Sequence, residues 1–378
     1  MKELNDENIL FGGKKMNNYK LLTPGPLTTT ETVKKAMLVD HCTWDDEYKQ
    51  ITVAICTQLL ELAHASSETY AAVLMQGSGS FGVESVLSSS IGKQDKLLVI
   101  SNGAYGDRMA EMAYYNDIKC DILNFFYNET PDADKVNAYL KTHPEITHVA
   151  MVHCETTTGI LNDIEAIGEV VKTHNKIYIV DAMSSFGGVD IEVEKLEIDF
   201  LISSANKCIQ GVPGFSFVIA KKSEIMNCKG RARSLSLSLY DQYKEMIKDG
   251  KWRFTSPTHV VLAFEQALKE LKEEGGIIAR NTRFSKNMSY LRANFENLGI
   301  KPYLNQEVQS PIITTFEFPK ENFNFKTMYD FIKARGFAIY PGKLLNLETF
   351  RIGVIGEIYL EDIEKLTDVM AEYLSSRG

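Results

Sequence analysis

Between residues 71 and 220 the chain alternates short apolar, β-branched runs with segments of helical periodicity, and this rhythm constrains the fold more than anything else in it. The runs Ala71–Met75, Leu97–Ile100, Cys120–Phe125, His148–Val152, Ile177–Val180, Phe200–Ser203 and Phe215–Ala220 have strand length and carry no interior proline or glycine. Helical patterns fall between most of them, at Phe81–Ser90, Asp107–Tyr115, Asp132–Lys141 and Ile164–Thr173. Strands separated by helices predict a mainly parallel sheet covered on both faces, an α/β class domain. The last two runs have no helix between them, which predicts one antiparallel step.

The texture changes beyond residue 258. Two long helical patterns, His259–Glu274 and Ile277–Leu298, are split by Gly275-Gly276. Ile312–Phe318, a helix near Phe325–Arg335, short strands near Phe337–Tyr340 and Phe350–Val354, and a last helix Leu360–Ser376 follow. This mixture predicts a smaller α+β domain. The division expected is a polar leader at 1–18, an N-terminal segment at 19–44, a large domain at 45–258, and a linker helix with the small domain at 259–378. The 19–44 segment contributes to both the active site and the small domain. A further helix is expected over Asp45–Ala65, where Ile51, Ile55, Leu59 and Leu62 recur at helical spacing.

In open α/β sheets, ligands sit outside the C-terminal ends of the parallel strands. Ile177–Val180 runs into Asp181, and Phe200–Ser203 leads to Lys207, with room between them for one crossover. A lysine at a buried strand exit loses hydration, which favours the neutral amine needed for a Schiff base. On its own Lys207 reads better as one more solvated lysine at a strand end; the strand before it changes the balance. An acid and an amine on one rim suit pyridoxal phosphate: the amine binds the aldehyde and the acid keeps the ring nitrogen protonated.

The loop Gln76–Gly82 holds a G-x-G-x-x-G pattern at Gly77, Gly79 and Gly82, between a strand and a helix. Such a loop offers backbone N–H groups to an anion, Ser78 and Ser80 add hydroxyls, and a helix N-terminus favours negative charge. A dinucleotide site and a monophosphate site both fit that chemistry. The dinucleotide fingerprint also wants an acid roughly 20 positions on, closing the second strand. Here that strand ends in Ser101-Asn102-Gly103, and Asp95 lies before it. The dinucleotide oxidoreductase is therefore the disfavoured reading.

The blocks VDAMSSFGG (180–188) and SSANKCIQGVPGF (203–215) resemble those of the 2-aminoethylphosphonate–pyruvate transaminases, within the fold-type I, class V aminotransferase group. LLTPGP, CTWDD, GSGS, NGAYG, CETTTG, RSLSL, KWRFTSPTH, SPIIT, IYPGK and FRIG extend the likeness from Tyr19 to the C-terminus. It shows no departure at a catalytic position, and only the leader falls outside it. The resemblance implies that Lys207 carries pyridoxal 5′-phosphate, Asp181 pairs with its ring nitrogen, and Ser78, Gly79 and Ser80 cradle its phosphate. It further implies that Tyr105 stacks on the ring, Thr156 bonds the phenolic oxygen, and Gly25, in the stiff Thr23–Pro26 turn, lies on the substrate side.

By the same resemblance Thr255 reaches the phosphate from a second subunit, making the enzyme a homodimer with shared sites. Residues 251–259 also read as an N-cap loop, with Ser256 or Thr258 capping the helix that follows. Arg351 offers a rigid fork for carboxylate or phosphonate oxygens; by type alone it is a strand-face arginine, and by resemblance it is the substrate-anion anchor. The activity implied is transfer of the amino group of 2-aminoethylphosphonate to pyruvate. A serine/alanine–glyoxylate aminotransferase of the same fold keeps every cofactor residue and is the nearer alternative. A cysteine desulfurase needs a loop cysteine well after the lysine, and the last here is Cys228.

The totals agree with a small-molecule enzyme. A net charge of −9 argues against nucleic acid as a partner. The six cysteines form no C-x-x-C pair, as expected of reduced thiols in a cytoplasmic protein. His153 and Cys154 lack further ligands at usable spacing, so no metal site is expected.

Overall fold

The computed structural model describes residues 10–11, 14–15, 19–319, 323–342, 344 and 347–376. The leader predicted at 1–18 lies outside them apart from a pairing of Leu10–Phe11 with Lys14–Lys15, as does Lys343 of the IYPGK block.

Helix α1 (Asp46–Leu62) precedes a seven-stranded sheet. Its strands are β1 (Tyr70–Gln76), β2 (Lys96–Ser101), β3 (Lys119–Asn124), β4 (His148–Val152), β5 (Ile177–Asp181), β6 (Phe200–Ser204) and β7 (Phe215–Lys221). Between them run α2 (Gly79–Ser90), α3 (Ala104–Tyr115), α4 (Ala133–Thr142) and α5 (Ile164–Thr173). The spatial order is β1-β7-β6-β5-β4-β2-β3. All neighbours pair in parallel except β7, which is antiparallel to both β6 and β1. The expected antiparallel step thus falls where the intervening helix is missing.

The central strands are apolar on both faces because helices cover both. Val73, Leu98, Val99, Val149, Ala150, Ile179, Leu201 and Val218 are fully buried in one continuous core. Edge strand β3 has only half-buried and exposed residues and is the most open. Parallel pairing of β2, β4, β5 and β6 brings their C-terminal ends to one rim. There Ser101, Val152, Asp181 and Ser204 hand over to the loops that carry polar side chains.

Beyond β7 come α6 (Leu239–Asp249), α7 (Thr258–Glu274) and α8 (Gly276–Asn297). Gly275 and Gly276, at φ 108° and 77°, make the corner between α7 and α8. A three-stranded antiparallel sheet follows, formed by β8 (Ile313–Glu317), β9 (Tyr340–Pro341) and β10 (Thr349–Gly353) in the order β8-β10-β9. It packs with α9 (Phe325–Ala334) and α10 (Leu360–Ser375) around Phe284, Phe295, Phe316, Phe350 and Ile352. Lys20–Leu21 pairs with Phe337–Ala338, and Leu22 lies in this second core, so the N-terminal segment is anchored there. Cys154 and Cys208, both from the rim of the large sheet, also belong to this core and join the two halves.

One expectation needs correcting. Neither Ser256 nor Thr258 caps α7: the N-cap position is Pro257, with no side-chain bond. The Ser256 hydroxyl lies 2.6 Å from the Tyr48 hydroxyl, a buried partner that competes with capping.

Candidate active site

The rim loops enclose a cavity of about 210 Å³, lined by Ser78, Gly79, Ser80, Tyr105, Thr156, Asp181 and Lys207 among others. Seven of the residues expected from the sequence therefore meet in one place.

Lys207 sits in the turn that leaves β6. Its Nζ donates to the Pro24 carbonyl at 2.6 Å, and burial lowers its pKa. The desolvation inferred from its strand-exit position is present, so the neutral amine is favoured. Gly25 presses on it: with φ at 120°, a Cβ there would come within 2.9 Å of both Cδ and Nζ of Lys207. The N-terminal turn therefore forms one wall around the amine.

Asp181, the last residue of β5, is 6 % exposed and accepts from the Met183 N–H at 2.9 Å. Burial pushes its carboxyl up to about 6, against the lowering effect of the Met183 bond. A buried carboxylate in this state gains much from a cationic partner brought to it.

Ser78 is the N-cap residue of α2, and its side chain makes no cap bond. The first N–H groups of a helix have no intrahelical partners, and the start of this one, with Ser78, Gly79 and Ser80, lines the cavity. A Cβ at Gly79 would displace the Met183 thioether, which lines the same cavity. Gly77 donates to the Gly214 carbonyl at 3.0 Å, tying this loop to the segment after Lys207.

Tyr105 is fixed from below. Glu155 is fully buried; its Oε2 accepts from the Tyr105 and Gly106 N–H groups at 3.1 and 3.2 Å. Its Oε1 accepts from the Thr157 N–H and hydroxyl at 3.0 and 2.6 Å. Burial raises the Glu155 pKa and these bonds oppose the rise. The CETTTG loop and the start of α3 are thereby locked together, with Thr156 on the cavity wall between them.

Three expected residues are not part of the cavity lining: Gly25, which instead abuts the Lys207 side chain, Arg351 and Thr255. Arg351, 2 % exposed in β10, donates to the Pro341 carbonyl at 3.0 Å and the Thr156 carbonyl at 2.8 Å. It also hydrogen-bonds the Tyr105 side chain, so it stands behind the lining. Thr255 is exposed on the loop before α7.

The lining also includes residues that the sequence does not single out, among them Arg108, Met183, Ser204 and Asn206. Arg108 follows Tyr105 by one helical turn, and its guanidinium lies 4.9 Å from that ring. The spacing of three on a helix was its readable signal. Met183, Ser204 and Asn206 flank Asp181 and Lys207 without a distinctive pattern of their own.

The chemistry fits a phosphorylated aromatic aldehyde: a desolvated amine, a buried acid, a flanking aromatic and a helix N-terminus all face one cavity. It does not fit a dinucleotide. Four strands lie between β1 and β2, so the glycine loop and the next strand do not form the adjacent pair such a site uses. Asp95, at the start of β2, bonds Gly92 N–H and Arg231 instead. Among the described residues no three His, Cys, Asp or Glu side chains are grouped to hold a metal.

Comparison with known proteins gives concordant findings. The model of the family described as aminotransferase class-V matches residues 45–346. A 2-aminoethylphosphonate–pyruvate transaminase of Lysinibacillus sphaericus is 58% identical over 359 residues, covering 95% of this chain and 98% of that one. One from Bacteroides fragilis is 55% identical, covering 94% and 99%. Among solved structures, an alanine–glyoxylate aminotransferase from Nostoc sp. superposes with a TM-score of 0.89 at 22% identity, covering 99% of this chain and 100% of that one. That likeness establishes the fold.

Proposed function

Because the chain belongs to the class V aminotransferases, we propose that it moves the amino group of 2-aminoethylphosphonate to pyruvate, giving phosphonoacetaldehyde and L-alanine. It is a pyridoxal 5′-phosphate-dependent enzyme, as its relatives' identity over nearly the whole chain supports. The cofactor supplies the aldehyde to which the amine is joined and the ring that takes up electrons.

Lys207 would hold the cofactor through its Nζ. With its charged form disfavoured by burial, the free amine would accept the proton from the carbon bearing the substrate nitrogen. In the second half-reaction it returns a proton to the former carbonyl carbon of pyruvate. Asp181, as a carboxylate, would keep a proton on the ring nitrogen. Ser78, Gly79 and Ser80 would hold the phosphate with the N-terminus of α2. Tyr105 would pack against the ring, and Thr156 would hydrogen-bond the phenolic oxygen. Gly25 leaves room beside the amine for substrate. Arg351 anchors the phosphonate of the donor and the carboxylate of pyruvate in turn, for which its guanidinium has to turn from the Pro341 and Thr156 carbonyls toward the cavity.

The enzyme acts as a cytoplasmic two-fold homodimer in which Thr255 of a second copy completes the phosphate site. No described helix is long and apolar enough to cross a membrane. Residues 45–258 form the cofactor-binding unit, and 259–378 the linker helix and smaller unit.

The observation that carries this reading is a desolvated Lys207 amine in one cavity with buried Asp181 and the open start of α2. The test is the visible spectrum of the purified protein with the cofactor. A yellow band that bleaches on adding 2-aminoethylphosphonate and returns with pyruvate is expected. Lys207→Ala should abolish turnover, and borohydride should fix the cofactor to the peptide that contains Lys207. Faster turnover of L-serine with glyoxylate would instead select the other aminotransferase activity.

A further inference from the structure

The turn that carries Lys207 is gripped from outside the cavity. Its Lys207 carbonyl accepts from Gln210 N–H at 2.7 Å. The next two carbonyls, of Cys208 and Ile209, both accept from one nitrogen of Arg280, at 2.9 and 3.1 Å. Arg280 lies in α8 and is 1 % exposed, so water does not stand in for it. Gln210 holds a left-handed backbone, φ 71°, which non-glycine residues adopt only when the surroundings impose it. Its side-chain oxygen accepts from Gly356 N–H at 3.1 Å and from Arg283 at 3.0 Å.

Glu274, the last residue of α7, joins these arginines. Its two oxygens accept from Nε of Arg280 at 2.8 Å and Nε of Arg283 at 2.7 Å. Arg283 then donates to the carbonyls of Gly356 and Ile358, at 2.8 and 2.9 Å. That same segment holds the N-terminal turn, since Glu357 N–H donates to Thr28 and Gly353 N–H to Leu22. The Pro24 carbonyl and Gly25, on that turn, contact the Lys207 side chain. The contacts close a ring from the lysine backbone through α8 and residues 353–358 back to the lysine amine.

We propose that Glu274, Arg280, Arg283 and Gln210 are positioning residues for the transamination, setting the placement of the Lys207 amine relative to the substrate-side wall. None of the four lines the cavity, so they act through the Lys207 turn. The turn and the wall are referenced to the same residues, 353–358, and a shift of the C-terminal sheet moves both together. The inference rests on Lys207 being the cofactor's lysine.

The test uses the cofactor-loaded enzyme with Arg280→Met, Glu274→Gln and Gln210→Ala, none of which touches the cavity. Misplacing a reacting group by about 1 Å costs on the order of 100-fold in rate, so kcat should fall roughly 10- to 100-fold. The KM for 2-aminoethylphosphonate should stay within about threefold, because the substrate-binding groups are untouched. The pH midpoint of the visible band should move in each folded variant, which a purely structural role does not require. Wild-type kcat and an unmoved midpoint in the folded variants overturn the proposal, as does failure of all three to fold. A wild-type enzyme without a visible band defeats the cofactor reading instead.

Discussion

At the scale of single residues, the site depends on two groups whose charge states are set by burial. Asp181 has its carboxyl raised to about 6 from the usual 3.8. The folded chain therefore holds that proton more tightly than the unfolded chain. The group favours the folded state below the unfolded value, and this contribution is lost as pH rises through about 6. A difference of this size corresponds to roughly 3 kcal/mol. In the cofactor-free protein, stability from urea unfolding should fall by up to about that amount between about pH 4 and 7. Asp181→Asn, which keeps the shape and cannot titrate, should lack this component. Parallel pH profiles for the two proteins would remove burial as the cause. Asp181 was legible in the sequence because it directly follows an uninterrupted apolar run, and Lys207, five residues beyond the next run, was legible only beside it. Arg108 was not, because its meaning depends on which face of α3 turns toward the rim, and that is set by Glu155 from another loop.

Among the elements, the central strands of the large sheet were readable almost to the residue, since they are buried on both faces and end at polar loops. The helix α6 was missed, although Ser238 accepts from Asp241 N–H at its start and Gly250 closes it in the left-handed region. The alternation of Ser and Leu just before it, at 234–238, masked the change of period. The hairpin Cys154–Glu155 with Ile160–Leu161 also went unread, because two-residue strands leave no periodicity. Yet that hairpin carries Glu155, which fixes how α3 presents Tyr105. In Glu155→Gln one oxygen becomes an amide NH₂ and faces N–H donors it cannot accept from. An unsatisfied buried group costs roughly 1–3 kcal/mol. Thermal unfolding should register that loss, and cofactor affinity should weaken as the start of α3 loosens. An unchanged melting curve would mean that the four bonds to Glu155 are not its anchor.

On the scale of the whole molecule, the segment leading to Thr255 carries exposed apolar side chains interleaved with cations. Trp44 is 68% exposed, and the amines of Lys49 and Lys251 lie 5.0 and 4.8 Å from its ring. Leu235 and Phe254 are 71% and 49% exposed, both in contact with Arg253. A face of this kind around a residue expected at a phosphate is what a second copy would cover. Site sharing has a consequence that a self-contained site lacks. Lys207→Ala removes the amine, and Thr255→Asp sets a negative charge against the phosphate, so each homodimer should be inactive or nearly so. In a hybrid, the chain that keeps Lys207 would receive an intact Thr255 from its neighbour. Unfolding and refolding a one-to-one mixture makes half the dimers hybrids, each with one good site. The mixture should recover roughly a quarter of wild-type activity. If each chain builds its own site, every hybrid site carries a defect and mixing adds nothing to the parents' activity, which would assign Thr255 to its own chain's site; a fully active Thr255→Asp homodimer would return it to an ordinary surface loop.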